Sequence, residues 1–285
     1  MSRISYVNGH YVPHHAASVH IEDRGYQFSD GVYEVVSIHM GKPIDMDSHM
    51  VRLTRSLEEL EIAWPVCLRA MDMIIREVIR RNRIRDGIVY MQITRGVATR
   101  NHAFPDHHNS AFVVTAKRLP PFDFDAANKG INIITTPEIR WQRCDIKTIS
   151  LLGNCLAKEK ARRAGCYEAW FVEDDGMITE GTTSNSWIVT ANGELVTRDV
   201  SNTILNGITR LSIMKVAKEN NIEFSQRAFS LEEAKSAKEA FISSTTSFVK
   251  PVLNIDDKPV GDGKVGPLSA KLLSYYGDHM KAQLA

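Results

Sequence analysis

Apolar and polar positions recur along the chain with two different periods. Apolar residues alternate with polar ones over 32–38, the period of a strand, and the β-rich runs 87–94 and 111–116 predict two further strands. Leu53 and Leu57 recur at helical spacing, which predicts a helix with Asp47 or Ser48 as its N-cap. The same spacing predicts a second helix over 70–82.

Turn residues and a second group of periodic segments complete the prediction of elements. Asn8-Gly9 predicts a tight hairpin over 6–12, because both residues tolerate positive φ. The further predicted elements are strands at 131–135 and 239–243, a hairpin at 169–178, and helices that end near Gly165 and cover 208–220. Strands and helices interleave without regular βαβ units, which favours an α+β fold.

Two adjacent prolines mark the predicted domain boundary. Pro120 and Pro121 remove backbone donors that a central strand needs, and they stiffen the segment around them. We therefore predict a smaller N-terminal α+β domain at 1–118, a linker at 119–123 and a larger C-terminal α/β domain at 124–285.

Composition and charge exclude several classes of partner. The chain has 285 residues, of which 43% are hydrophobic and 24% charged, and its net charge is +1. A charge so close to zero offers no footprint for nucleic acid or for an anionic membrane. No apolar run resembles a signal peptide or is long enough to cross a bilayer. We expect a small, locally recognised substrate.

The cysteines and histidines suggest neither a disulfide framework nor a metal site. The four cysteines have no C-x-x-C pair, so we expect reduced thiols in a cytoplasmic protein. The pairs His14-His15 and His107-His108 are adjacent in the chain, and adjacent side chains rarely point at one metal. We expect no metal ligands here.

A lysine and a glutamate carry the strongest chemical signal. Lys147 and Glu180 lie 33 positions apart, with a predicted helix and hairpin between them. A lysine amine can form a Schiff base with an aldehyde, and a nearby carboxylate can keep a pyridine nitrogen protonated. Together they suggest a pyridoxal 5′-phosphate enzyme, although either residue alone is usually a solvated surface charge.

Three segments offer donors for a cofactor phosphate. Gly207 precedes a predicted helix, whose first backbone N–H groups can bind an anion. The run 243–247 follows a predicted strand and provides hydroxyl and amide donors. Arg52 provides a cation and shares a helix face with His49. Each segment also has an ordinary interpretation as a turn, a loop or a solvated face, so their value is cumulative.

These residues together resemble the fold-type IV pyridoxal-phosphate aminotransferases. That family contains D-amino-acid and branched-chain aminotransferases and aminodeoxychorismate lyase, and the resemblance covers roughly 6–252. It implies a two-domain α+β fold with the active site at the domain interface. The cofactor-binding positions that it implies are Arg52, Lys147, Glu180, Leu205, Ile208, Thr209, Ser244 and Thr245.

The resemblance also implies a role for each position. Lys147 corresponds to the Schiff-base lysine and Glu180 to the acid that pairs with the pyridine nitrogen, and these two are the implied catalytic residues. Arg52 matches the phosphate arginine. The implied phosphate donors at the two backbone segments are Ile208, Thr209, Ser244 and Thr245. Leu205 falls where an apolar side chain packs against the cofactor ring.

A shorter motif resembles the carboxylate-binding element of the D-amino-acid group within this family. Arg100 and His102 match its Arg-x-His pair, and Tyr33 matches the tyrosine that completes the substrate site. An arginine fork fits a carboxylate, while histidine and tyrosine donate from other directions. The resemblance implies that Arg100 and His102 reach the site of a partner subunit, and therefore a homodimer.

The activity implied is transamination between a D-amino acid such as D-alanine and a 2-oxo acid such as 2-oxoglutarate. The alternatives on the same scaffold are a branched-chain L-amino-acid aminotransferase, an amine transaminase and, less well matched to the carboxylate motif, a lyase. A non-enzymatic alternative is a cofactor-binding scaffold protein. Thr182 and Thr183 stand where relatives have serines, and this difference bears on side-chain preference and cofactor affinity.

Overall fold

Two compact units make up the chain in a computed structural model that describes residues 3–284. Unit 1 comprises Met1–Phe122 and Ile146–Ser150, and unit 2 comprises Asp123–Asp145 and Leu151–Ala285. Each unit contains a β-sheet and helices, so the α+β prediction is confirmed. No helix among residues 3–284 is long and apolar enough to span a membrane.

Within the described residues, unit 1 is a six-stranded sheet with three α-helices and a short 3-10 helix at His14–Ala16. Its strands are β1 Ile4–Val7, β2 His10–Pro13, β3 Gly31–His39, β4 Lys42–Pro43, β5 Gly87–Thr94 and β6 Ala111–Arg118, and its helices are α1 Arg24–Phe28, α2 Met46–Glu59 and α3 Leu68–Asn82. All strand pairs are antiparallel, in the order β2-β1-β6-β5-β3-β4. The hairpin at Asn8-Gly9 is confirmed, with φ of 45° and 95° at the two turn residues.

The core of unit 1 lies between its sheet and the apolar faces of α2 and α3. Leu53 and Leu57 of α2 are buried, as are Met71, Ile75 and Val78 of α3. These residues recur at the helical spacing seen in the sequence, and burying one such side chain contributes about 1.5–3 kcal/mol. The same core therefore holds α2, the helix that carries His49 and Arg52, in place.

The predicted start of α2 is wrong by two or three residues. The N-cap is Asp45, with a left-handed φ of 54°, and the helix begins at Met46. Asp47 lies in the first turn, where a negative charge is favourable beside the helix dipole. Asp47 and Ser48, the residues predicted as caps, therefore already lie inside the helix.

Unit 2 is a nine-stranded sheet with five helices. Its strands are β7 Ile131–Pro137, β8 Glu168–Val172, β9 Ile178–Gly181, β10 Asn185–Val189, β11 Leu195–Thr197, β12 Phe224–Gln226, β13 Glu239–Ser244, β14 Phe248–Ile255 and β15 Lys258–Pro259, and its helices are α4 Phe124–Ala127, α5 Leu152–Arg163, α6 Ile208–Glu219, α7 Leu231–Lys235 and α8 Pro267–Ala282. The order is β12-β11-β10-β13-β14-β7-β8-β9, with β15 paired to β14. β7 runs parallel to its neighbours β14 and β8, whereas the pairs β10–β13 and β13–β14 are antiparallel.

The short segment Ile146–Ser150 belongs to unit 1 although it follows the start of unit 2 in the chain. The Tyr33 backbone N–H donates to the Lys147 carbonyl at 3.0 Å, and Val32 and Thr148 form an antiparallel bridge. These bonds attach the segment to β3. The domain limits 1–118 and 124–285 stay a prediction.

Candidate active site

Unit 1 places Lys147 beside the strand that carries Tyr33. The Lys147 Nζ lies 4.2 Å from the centre of the Tyr33 ring, and the Lys147 backbone N–H donates to the Ser56 hydroxyl at 3.4 Å. Lys147 is half-buried. An ammonium over an aromatic face is favourable, so the ring holds the amine near β3.

Arg52 pairs with a glutamate that the sequence analysis did not select. Its Nε and Nη2 donate to Oε1 and Oε2 of Glu34 at 2.7 and 2.8 Å, and His49 contacts Oε2 at 2.7 Å. Glu34 is fully buried, and Arg52 is 9% exposed. This bidentate pair fixes the direction of the Arg52 side chain.

The charges of this cluster follow from its burial. Burial alone would raise the pKa of Glu34, but the ion pair with Arg52 and the hydrogen bond from His49 lower it to about 2. Burial lowers the pKa of His49, against the opposing effect of Glu34. We infer that neutral His49 donates its Nδ1–H to Glu34.

The sequence did contain a signal for Glu34. Along β3 the buried positions alternate, and Val32, Glu34 and Val36 face the same side as Ile38. A charged residue on the inward face of a strand must be paired, because burying an unpaired charge is expensive. Tyr33 lies on the opposite face of β3.

Arg100 and His102 come together on one aromatic ring. Both are exposed and follow β5 in the chain. The guanidinium carbon of Arg100 lies 4.9 Å from the centre of the Phe28 ring, and the His102 ring lies 5.3 Å from it. The structure thus groups two of the three predicted carboxylate-binding side chains at α1.

Unit 2 places Glu180 in β9, in a set of donors that occupies both carboxylate oxygens. Arg140 Nη1 donates to Oε1 at 2.5 Å. The Asn185 side chain and the Leu205 backbone N–H donate to Oε2 at 3.0 and 3.1 Å. Arg140 also pairs with Glu138 at 2.6 Å. Glu180 therefore has a fixed orientation.

Burial raises the pKa of Glu180 above the usual glutamate value, while Arg140 and the Leu205 amide act in the opposite direction. Arg140, Asn185 and the Leu205 amide all stabilise the anionic form of Glu180, and a carboxylate anion is the charge that stabilises a proton on a neighbouring nitrogen.

Asn185 connects Glu180 to Leu205 and to the second predicted phosphate segment, at 243–247. Its side chain donates to the Leu205 carbonyl at 2.8 Å as well as to Glu180, and its backbone pairs with Ser243 of β13. Ser244 ends β13, and Thr245 follows it. Glu180, Leu205 and the second phosphate segment thus belong to one neighbourhood. Sequence reasoning did not select Asn185 or Arg140.

The start of α6 has the features of an anion site. Its N-cap is Gly207, which has no side chain to occupy the first-turn amides, and Ile208 and Thr209 are both buried. A Cβ on Gly207 would lie 2.1 Å from the Asn185 side-chain oxygen, so only glycine fits there. Free amides in the first turn of a helix, with the Thr209 hydroxyl beside them, are the kind of donors that bind a phosphate.

Comparison with known proteins gives one consistent result. The model of the family Amino-transferase class IV matches residues 31–255. A D-alanine aminotransferase from Listeria monocytogenes serotype 4b (strain F2365) is 42% identical over 272 residues, with 95% of this chain and 93% of that protein covered. A D-alanine aminotransferase from Staphylococcus aureus (strain MSSA476) is 38% identical over 268 residues, with 94% of each chain covered.

Solved structures of lower identity share the fold. The branched-chain amino acid aminotransferase from Escherichia coli superposes with a TM-score of 0.89 at 24% identity, covering 98% of this chain and 95% of that one. A hypothetical aminotransferase from Mycobacterium tuberculosis, solved in its PLP-bound form, gives a TM-score of 0.85 at 20% identity, covering 98% of this chain and 99% of that one. At this identity the likeness extends to the fold alone.

Proposed function

Since this chain belongs to the class IV aminotransferase family and is therefore a pyridoxal-phosphate-dependent transaminase, we propose that it transfers the amino group of a D-amino acid such as D-alanine to a 2-oxo acid such as 2-oxoglutarate. The observation that carries the choice of substrate is the pairing of Arg100 and His102 on the Phe28 ring. An arginine and a histidine held side by side can both donate hydrogen bonds to one carboxylate.

The cofactor residues have separate tasks. Arg52, Ile208, Thr209, Ser244 and Thr245 would hold the cofactor phosphate through a cation, helix amides and hydroxyls. Leu205 would pack against the cofactor ring.

Glu180 would keep the ring nitrogen of the cofactor protonated. When bound, pyridoxal 5′-phosphate supplies an aldehyde for the substrate amine and a ring that withdraws electrons. The donors on both oxygens of Glu180 prevent it from turning away from the nitrogen.

Lys147 moves the proton. Its Nζ would accept the proton that leaves the substrate Cα and would hold it for return. Arg100, His102 and Tyr33 fix the substrate carboxylate, so the Cα hydrogen of one enantiomer points at Nζ. The D-alanine aminotransferases among the relatives support the D enantiomer.

We also propose a homodimer in the cytoplasm. Apolar side chains near α1 and the loop after β5 are exposed in the single chain, among them Ile21 at 75%, Tyr26 at 76% and Phe104 at 54%. Exposed apolar clusters of this kind are typical of protein interfaces. The four cysteines are free thiols, which supports a reducing compartment. Analytical ultracentrifugation tests the dimer, and a monomer at micromolar concentration would contradict it.

A donor assay tests the function. With 2-oxoglutarate as acceptor, we expect turnover of D-alanine and little of L-leucine, whereas the branched-chain alternative predicts the reverse. Lys147→Ala should abolish turnover, and Lys281→Ala, at an exposed position on α8, should retain it. Wild-type rates in the Lys147→Ala protein would exclude the proton-transfer role.

A further inference from the structure

Arg24 is a buried arginine outside the proposed set of site residues. It lies at the start of α1 and is 3% exposed. Its Nε donates to Asp30 at 2.7 Å, and Asp30 also accepts from Arg95 Nε at 2.8 Å. Burying two arginines around one carboxylate costs desolvation energy, so the geometry that they hold is specific.

The remaining N–H groups of Arg24 reach the loop that carries Arg100 and His102. We call residues 98–104 the trap loop. Nη1 donates to the Asn101 carbonyl at 2.6 Å and to the Ala103 carbonyl at 3.3 Å, and Nη2 donates to the His102 carbonyl at 3.4 Å. Because a guanidinium presents its donors in one rigid plane, it fixes three successive carbonyls relative to α1.

Phe28, one turn after Arg24, holds the side chains of the same loop. The Arg24 guanidinium carbon lies 4.8 Å from the Phe28 ring centre, and Arg100 lies 4.9 Å from it. The His102 ring lies 5.3 Å away. Arg24 therefore sets the backbone of the trap loop, and Phe28 sets the direction of its two functional side chains.

We propose that Arg24 and Phe28 are positioning residues that hold Arg100 and His102 in the geometry that binds the substrate carboxylate. This inference rests on the proposed function. Arg100 and His102 are exposed, and ordering such side chains only on binding would lower affinity. The contacts of Arg24 and Phe28 order Arg100 and His102 before the substrate binds and so remove that cost. The gain in affinity is largest for substrates that have a carboxylate.

Two amino donors distinguish a positioning role of Arg24 and Phe28 from a general effect on protein stability. The holoenzyme is mixed with D-alanine or with D-alaninol, which lacks the carboxylate, and the half-reaction is followed by cofactor absorbance. We expect Arg24→Met to raise the D-alanine concentration that gives half the maximal rate of this half-reaction about tenfold, with a smaller change in the maximal rate. For Phe28→Leu we expect that concentration to rise about threefold. Neither substitution should change the ratio of maximal rate to half-saturating concentration for D-alaninol.

The Arg100→Ala background shows whether Arg24 acts through the trap loop. There, Arg24→Met should have no further effect on D-alanine. Arg76→Met is the control, since Arg76 is an exposed arginine in the same unit that pairs with Asp72, one turn before it in α3, at 2.7 Å. It should behave as wild type with both donors.

Equal losses with the two donors, or an undiminished Arg24→Met effect in the Arg100→Ala background, would overturn the proposal. Should Arg24→Met fail to fold, Phe28→Leu gives the same comparison. A wild-type enzyme that does not react with D-alanine would instead remove the proposed function itself, and this inference with it.

Discussion

Replacing Glu34 with Gln should destabilise unit 1 in a pH-dependent way. Glu34 is fully buried and accepts from Arg52 at 2.7 and 2.8 Å and from His49 at 2.7 Å. Glutamine keeps the shape and one acceptor oxygen but removes the charge. The variant thus deprives a buried guanidinium of the anion that Glu34 supplied.

The magnitude follows from the pKa of Glu34. It falls from 4.5 to about 2 in the folded protein, which at about 1.4 kcal/mol per unit corresponds to about 3 kcal/mol. This value agrees with the cost of removing one partner of a buried ion pair, which is typically about 3–5 kcal/mol. Because the folded pKa is depressed, the stabilisation is complete above about pH 4.5 and is lost as the pH falls toward 2.

Fluorine NMR of protein labelled with 5-fluorotryptophan measures this effect in unit 1 alone. Trp64 is in unit 1, and the tryptophans of unit 2 are Trp141, Trp170 and Trp187. At pH 7.5 a loss of about 3 kcal/mol lowers the urea midpoint reported by Trp64 by roughly 1–3 M. The difference between wild type and variant should shrink steadily as the pH falls below about 4.5.

Glu58→Gln is the control, because Glu58 is an exposed glutamate of α2. Its stability should stay within about 0.5 kcal/mol of wild type. If Glu34→Gln had the wild-type midpoint at pH 7.5, or if its deficit were the same at pH 3, the charge would not stabilise unit 1 as described.

Three further outcomes test other parts of the structure. Gly207→Ala should weaken pyridoxal 5′-phosphate binding about tenfold, because the new Cβ would lie 2.1 Å from the Asn185 side-chain oxygen and would push that side chain away. An unchanged affinity in a spectrophotometric titration would contradict this. Glu180→Gln should lower kcat about a hundredfold while the protein stays folded, and a wild-type rate would exclude the ring-nitrogen role. Burial raises the pKa of the Cys144 thiol to about 12, so iodoacetamide at pH 8 should alkylate the exposed Cys67 before Cys144. Mass spectrometry of the alkylated protein measures the order, and alkylation of Cys144 before Cys67 would refute the burial of Cys144.

The sequence predicted the regular elements well where the period was local. The helix predicted at 70–82 is α3 Leu68–Asn82, and the strand predicted at 87–94 is β5 Gly87–Thr94. The short strand β11 Leu195–Thr197 was missed, since three consecutive buried residues show no period. Such a segment is stabilised by its neighbours in the sheet and carries little signal of its own.

The candidate site was predictable only in part. Arg52 and Glu180 stood out through chemistry and resemblance, but the residues that orient them did not. Glu34 is 18 positions from Arg52, and Arg140 is 40 positions from Glu180. Nothing in the local pattern around either charge identifies a partner at that separation.

The amino-acid order by itself determined the periods, the turn at Asn8-Gly9 and the types of side chain available for chemistry, since these depend on near neighbours in the chain. Only the tertiary structure decided which charges pair and which way they point. Arg24 reaches the carbonyl of Asn101 across 77 positions. A buried ion must be paired, and its partner comes from whichever part of the chain packs beside it. That packing depends on the whole unit.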